Sequence, residues 1–252
     1  ARGRYGMVLD AHSFPVEASA AYREAARLDS DDVRWPYFLA TLLEYQDPLE
    51  ALEWYERAIR IRPSYAPARI RYAQTLEAVG RDSEAEVQYR KAADLDPSDP
   101  LAPLGIGRLA LADDRVEESV RYLELAYRLD DGIQAIVAML ARGYARSGQT
   151  ERARQKVEEA GGLPRTLPHK DALRASVEDA AVDTAGYLRR SRTYADVGDL
   201  GRAQREIEEL LSFAPQTAQA WLAAAGIYDR QGVPEKVLEA AQRALELAPG
   251  LL

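Results

Sequence analysis

The chain has 252 residues, a formal net charge of -8, 47% hydrophobic residues and no cysteine. Without cysteine there are no disulfides, no thiolate nucleophile, no covalent haem attachment and no cysteine-bound metal; no apolar run approaches the ~18 residues of a membrane-spanning helix. The absence of asparagine removes N-glycosylation, and the acidic balance argues against nucleic acid, because outward carboxylates repel phosphate and no aromatic platform alternates with the basic positions.

From the N-terminus, a unit ending near Asp32 carries Tyr5, Gly6, Leu9, Ala18, Tyr22 and Ala25 at helical spacing. Ala1 falls at about its third position, so the opening of this unit is expected to be missing, and the compartment stays open between cytoplasm and periplasm. The second unit, 33–64, has Leu39, Ala40, Leu43, Ala51, Tyr55 and Ala58, with Asp47 and Pro48 as helix cap and first-turn proline and Gln46 standing where other units have glycine. The third, 65–97, has Ala73, Leu76, Gly80, Ala85, Tyr89 and Ala92, and Ser83 and Glu86 are spaced as a capping box. The fourth, 98–131, places Gly105 and Gly107 inside a first helix, which predicts close helix packing and not a phosphate loop. The fifth, 134–167, keeps the pattern through Ala160 and then meets Gly161, Gly162, Pro164 and Pro168, which should end its second helix early. Residues 168–183 are extra to the beat, and Asp171, Ala172, Leu173, Ser176, Val177 and Ala180 within them have helical spacing, which predicts either a short added helix or an irregular lead-in to the sixth unit. The sixth and seventh units, 184–215 and 218–249, restore the beat with Ser191, Tyr194, Gly198, Ala203 and Ile207, then Ala225, Tyr228, Gly232, Val237 and Ala241. The organisation expected is 1–167 for units one to five, 168–183 for the insertion and 184–252 for units six and seven.

The beat is about 34 residues, and each unit reads as two helices around a tight turn. Small residues at the eighth and twentieth positions of a unit sit where the two helices cross, allowing close approach. Large ones such as Tyr55, Tyr89, Leu123, Val157 and Ile207, the first four with an alanine three residues on, fill the gap over the next unit. This sequence of small residue, large residue, turn glycine, alanine, bulky residue, second alanine and closing proline resembles the tetratricopeptide repeat family over nearly the whole chain. The resemblance implies an all-α fold, an α-solenoid of helical hairpins wound into a right-handed superhelix, with first helices on the concave face. It also implies capture of a peptide or helix of another protein in that groove, without catalysis.

The search for chemistry agrees. His12 and His169 lie more than four units apart and read as exposed loop residues, each lacking a second ligand or an orienting carboxylate. Paired acids such as Glu117 and Glu118 or Glu208 and Glu209 point in different directions on a helix and read as solvated faces. No enzyme, cofactor or metal is expected. Trp35, Trp54 and Trp221 fall where hairpins pack bulk and read as core. The groove slots hold Arg34, Tyr37, Gln74, Arg108, Arg142, Arg146, Arg192 and Arg230. The first helices of units two to seven carry about ten arginines against four acids, so charge is sorted by face. Two readings of these arginines stand: pairing with carboxylates on neighbouring repeats, or a basic strip that grips an acidic peptide or a chain's C-terminal carboxylate. Members of the family that clamp chaperone tails use lysine and asparagine there, and this chain has no asparagine. The function expected is a protein-interaction scaffold; the alternatives are a structural subunit contacting a larger complex through its outer face or ends, where Val237, Leu238, Leu245 and Leu247 leave apolar surface, or an accessory repeat domain of an enzyme.

Overall fold

The computed structural model describes residues 2–163 and 171–248, and every element among them is helical. In chain order these are α1 (Arg2–Ala11), α2 (Pro15–Leu28), α3 (Arg34–Leu43), α4 (Pro48–Ile61), α5 (Ala66–Ala78), α6 (Asp82–Leu95), α7 (Leu101–Ala112), α8 (Val116–Leu129), α9 (Gln134–Arg146), α10 (Thr150–Gly161), α11 (Ala172–Glu178), α12 (Thr184–Asp196), α13 (Leu200–Phe213), α14 (Ala218–Gln231) and α15 (Pro234–Leu247). The helices group into two compact units, one of Ser19–Leu173 and one joining Gly3–Ala18 to Arg174–Leu252. His169 and the prolines at 164 and 168 lie outside the described residues.

In the larger unit, hairpins α3/α4, α5/α6, α7/α8 and α9/α10 stack so that each second helix also packs on the first helix of the next pair. The crossings are made by small residues. Ala73 and Ala85 are fully buried, and a Cβ on Gly107 would stand 2.7 Å from Leu123 Cγ. Ser119 donates its hydroxyl to the Gly107 carbonyl at 2.7 Å, so the polar residue at a crossing is satisfied internally. Tyr22, Tyr55, Tyr89 and Leu123 are almost completely buried, and burying a side chain of Leu123's size stabilises by roughly 1.5–3 kcal/mol. The turns use left-handed backbone, at Gly80 (φ 77°) in one pair and at Asp114 (φ 61°) in the next, where a short polar side chain tolerates what a branched one would not.

In the smaller unit, α12/α13 and α14/α15 repeat this arrangement around Ala203, Ile207, Ala224, Ala225 and Ile227. Ser191 donates to the Ala203 carbonyl at 3.0 Å, as Ser119 does in its own pair. Two links fasten α1 here: Arg174 Nη1 donates to Asp10 Oδ2 at 2.6 Å, and the Val182 amide donates to His12 Nε2 at 3.2 Å.

Several expectations need correction. Val157 is 63% exposed and not core, because within its unit α10 packs on α9 and carries no further hairpin over its outer stripe. Ser83 does not cap α6: the helix begins at Asp82 after Arg81, without a side-chain cap, and Glu86 instead accepts from Arg90 and from Arg115 Nη2 at 2.6 Å. His12 is half-buried and hydrogen-bonded, not an exposed loop histidine. Of the tryptophans only Trp35 is buried; Trp54 and Trp221 are half-buried, their indoles donating to Glu50 and to the Pro215 carbonyl. Asp47 caps α4 as expected, accepting from the Glu50 amide at 3.0 Å, and α10 ends at Gly161.

Candidate functional site

First helices within a unit lie side by side and share one face, and that face is wired by a recurring triad. Tyr55 of α4 donates its phenol to Glu44, at the end of α3, and Glu44 also accepts from Arg71 Nη1 of α5 at 3.1 Å. One hairpin further on, Tyr89 donates to Glu77 at 2.6 Å, and Glu77 accepts from Arg108 Nη2 of α7 at 2.6 Å. Burial first, and the neighbouring carboxylates second, push the phenols of Tyr55 and Tyr89 well up, so both stay protonated donors.

The triad then breaks. The next equivalents of Tyr89 and Glu77 are Leu123 and Leu111, both buried and apolar. Arg142 of α9, the counterpart of Arg108, therefore faces a leucine where its neighbour faces a carboxylate. It is exposed and makes no ion pair with a described residue. Between α7 and α9 opens a cleft of about 490 Å³ lined by Arg108, Leu111, Ala112, Met139, Arg142, Ala145 and Arg146. Its floor is apolar. Of its three guanidinium groups, that of Arg108 is held by Glu77 and that of Arg146 by Asp114 at 2.6 Å, which leaves Arg142 uncompensated.

In the smaller unit a cleft of about 370 Å³ lies between α12 and α14, lined by Leu188, Ser191, Arg192, Ala195, Asp196, Ala223, Gly226, Ile227 and Arg230. Arg192 and Arg230 are exposed there, neither in an ion pair with a described residue.

A different arrangement occupies the same face of α3 and α5. Asp171, just before α11, has a side chain only 2% exposed; it accepts from the Tyr37 hydroxyl and from the Tyr65 hydroxyl at 2.6 Å, and stands 3.6 Å from Arg71 Nε. The Leu173 amide closes onto Asp171 Oδ1 at 3.1 Å and onto Tyr65 Oη at 3.2 Å. Tyr37 and Tyr65 meet edge to face, with ring centroids 5.6 Å apart. Burial and the adjacent carboxylate push both phenols up.

The structure thus distributes the eight groove residues unequally. Arg108, Arg142 and Arg146 share one cleft, and Arg192 and Arg230 share the other. Gln74 is exposed on α5. Arg34 is tied to Asp32 at 2.5 Å and lies over the Trp35 ring at 4.6 Å. Tyr37 is fully buried behind Asp171 and presents no open surface. The pairing reading of the arginines describes Arg34, Arg71, Arg108 and Arg146; it does not describe Arg142, Arg192 or Arg230. Sequence reasoning missed Arg71, Tyr65 and Asp171 as a cluster. The spacing of eleven or twelve residues between Glu44 and Tyr55 and between Glu77 and Tyr89, with arginine on the following first helix, could have found Arg71 as a member of a triad, but it does not point to Tyr65 or Asp171.

Models of the tetratricopeptide repeat match residues 42–102 in one form and residues 6–66 and 188–251 in another. The chain belongs to the tetratricopeptide repeat family. The repeat makes it a protein-interaction scaffold in general terms. Among curated proteins, cellulose synthase operon protein C of Xanthomonas axonopodis pv. citri is 26% identical over 169 residues, 67% of this chain but 10% of that protein. The human protein O-mannosyl-transferase TMTC2 is 41% identical over 49 residues, 19% of this chain and 6% of that protein. The chain therefore spans about a tenth or less of the curated relatives it matches. Among solved structures, Pseudomonas aeruginosa PilF covers 99% of this chain and 91% of its own at TM-score 0.58 and 14% identity. MamA from Desulfovibrio magneticus RS-1 covers 66% and 94% at TM-score 0.58 and 19% identity. Both likenesses are of fold.

Proposed function

We propose that the chain is a non-catalytic scaffold that holds an acidic peptide, or an acidic segment of a partner subunit, against its first-helix face, with Arg142 as the principal contact. The observation that carries this reading is the uncompensated Arg142 guanidinium above the apolar floor of the α7/α9 cleft. A carboxylate next to an apolar side chain matches that surface, since a guanidinium takes a carboxylate through paired hydrogen bonds while Leu111 and Met139 accept the apolar neighbour. Arg192 and Arg230 extend the same preference to the cleft between α12 and α14.

The test is fluorescence anisotropy of an array of short peptides, each with an Asp or Glu beside an aliphatic residue, at low and high salt, against the wild type and Arg142→Glu/Arg146→Glu. A charge-assisted contact is worth about tenfold or more in affinity, so the variant should lose at least that, and salt should weaken the wild type. Acidic peptides that bind both proteins equally would refute the groove assignment.

A second reading, a structural subunit that contacts a larger complex away from the first-helix face, is favoured by α15, where Leu238 and Leu245, two turns apart on one stripe, are 61% and 39% exposed. The accessory-module reading draws on the curated relative of which the match covers 10%.

A further inference from the structure

The carboxylate of Asp171 sits in a site built for a carboxylate. Two phenols that stay protonated donate to it, one guanidinium lies at ion-pairing distance, and water is almost wholly excluded. All three groups belong to α3, α5 or the turn that enters α5, on the face where the repeats beyond them open into the arginine cleft. The occupant comes from the one stretch that departs from the beat of the repeats. It does not saturate the site: Arg71 Nε is buried with no hydrogen-bond acceptor among the described residues, because Asp171 Oδ2 stops 3.6 Å away. A buried donor left unmade penalises the closed state relative to one in which the acceptor reaches it.

We propose that Tyr37, Tyr65 and Arg71 form a binding site for an aspartate or glutamate side chain of a partner segment, filled in this structure by the chain's own Asp171. Asp171 is in this reading an internal ligand, and a partner must displace it. The chemistry is fixed by the donors: the phenols of Tyr37 and Tyr65 donate to different carboxylate oxygens, so a neutral amide keeps one of those bonds, sets its NH2 against the other phenol and loses the pairing with Arg71, and a cationic side chain is repelled. Glu44, which holds Arg71 from the other side through Nη1 at 3.1 Å, keeps the guanidinium oriented while its occupant exchanges.

The probe is a fluorescein-labelled synthetic peptide of residues 165–176, compared with the same peptide carrying alanine for Asp171, titrated by anisotropy into the full chain. The Asp171→Ala protein should bind the aspartate peptide at least about tenfold more tightly than the wild type does, and the alanine peptide should show no such gain. Where Asp171→Ala does not fold, Asp171→Asn takes its place, with a smaller gain of the same sign expected because its amide still accepts from one phenol. In the wild type, millimolar aspartate peptide should speed amide hydrogen exchange of residues 171–173, which needs no variant. A folded Asp171 variant that binds neither peptide, or both equally, overturns the proposal, as does unchanged exchange in the wild type. Arg142→Glu should leave the gain intact, so this site and the α7/α9 cleft fail separately.

Discussion

Two glycines in first helices should respond in opposite directions to the same substitution. Gly105 of α7 lies under the Tyr89 ring, and an added Cβ would stand 2.5 Å from Cζ and 2.6 Å from Cε1 and Cε2. That ring cannot swing aside cheaply, being 1% exposed with its hydroxyl donating to Glu77 at 2.6 Å and accepting from Arg108 at 3.3 Å. Overpacking of this kind costs roughly 1–3 kcal/mol, against about 1 kcal/mol gained when alanine replaces glycine inside a helix. Gly105→Ala should therefore destabilise by up to about 2 kcal/mol. At Gly226 of α14 nothing lies within 4 Å of the added methyl group, since this glycine borders the α12/α14 cleft. Gly226→Ala should stabilise by about 0.5–1 kcal/mol, a rise of a few degrees in melting temperature. Urea titration of both variants, followed by helical circular dichroism, measures the two shifts. Equal shifts, or a stabilising Gly105→Ala, would show that α7 and α6 are not packed as closely as the structure has them.

Acid should weaken the larger unit through Glu50, whose carboxyl is drawn from its usual value of 4.5 to about 2 by hydrogen bonds from Arg23 and from the Trp54 indole. A lowered folded value means that the stability it adds is present above about pH 4.5 and lost as pH falls toward 2, so Glu50→Gln should lower stability at neutral pH, flatten that stretch of a stability-against-pH curve and converge with the wild type toward pH 2. A second substitution, Leu111→Glu, restores the carboxylate that the triad lacks beside Arg142. It should abolish acidic-peptide binding in the α7/α9 cleft, read by anisotropy, while helix content stays as in the wild type, and retained binding would show that Arg142 is not the contact.

Much of the fold was legible because each unit repeats the same physical demand. Gly107 is small since Leu123 fills the space beside it, and Ser119 can be polar since the Gly107 carbonyl is there to accept from it. Such requirements recur every 34 residues or so, and repetition makes weak signals additive. Val157 shows where this stops: it occupies a core slot, yet what buries such a residue is the next hairpin, and the sequence pattern of one unit does not say whether a neighbour covers it. Ser83 shows a local failure, in which a capping-box spacing is outweighed by a helix that begins two residues earlier than a cap at Ser83 would allow. The candidate sites were legible in part. The arginines that share a cleft stand 4, 34 or 38 residues apart and follow from the register, whereas Asp171 meets Tyr37 and Tyr65 across 134 and 106 positions, a distance at which spacing carries no information.

The triad also connects the open and closed parts of the first-helix face. An arginine from one first helix is neutralised by the glutamate that ends the preceding one, and the tyrosine of the intervening second helix fixes that glutamate. Where glutamate and tyrosine are both present, the guanidinium is a structural group and a partner would have to compete with a carboxylate already in place. At α9 leucine replaces both, so Arg142 keeps its charge available while the floor beneath becomes apolar. One change in composition thus produces the two properties that a cleft for an acidic, partly apolar segment needs. At Arg71 the glutamate is kept but a second carboxylate, that of Asp171, is brought in from outside the repeats. An arginine that holds two acids, one belonging to the repeat framework and one to an added segment, can exchange the second without losing the orientation given by the first.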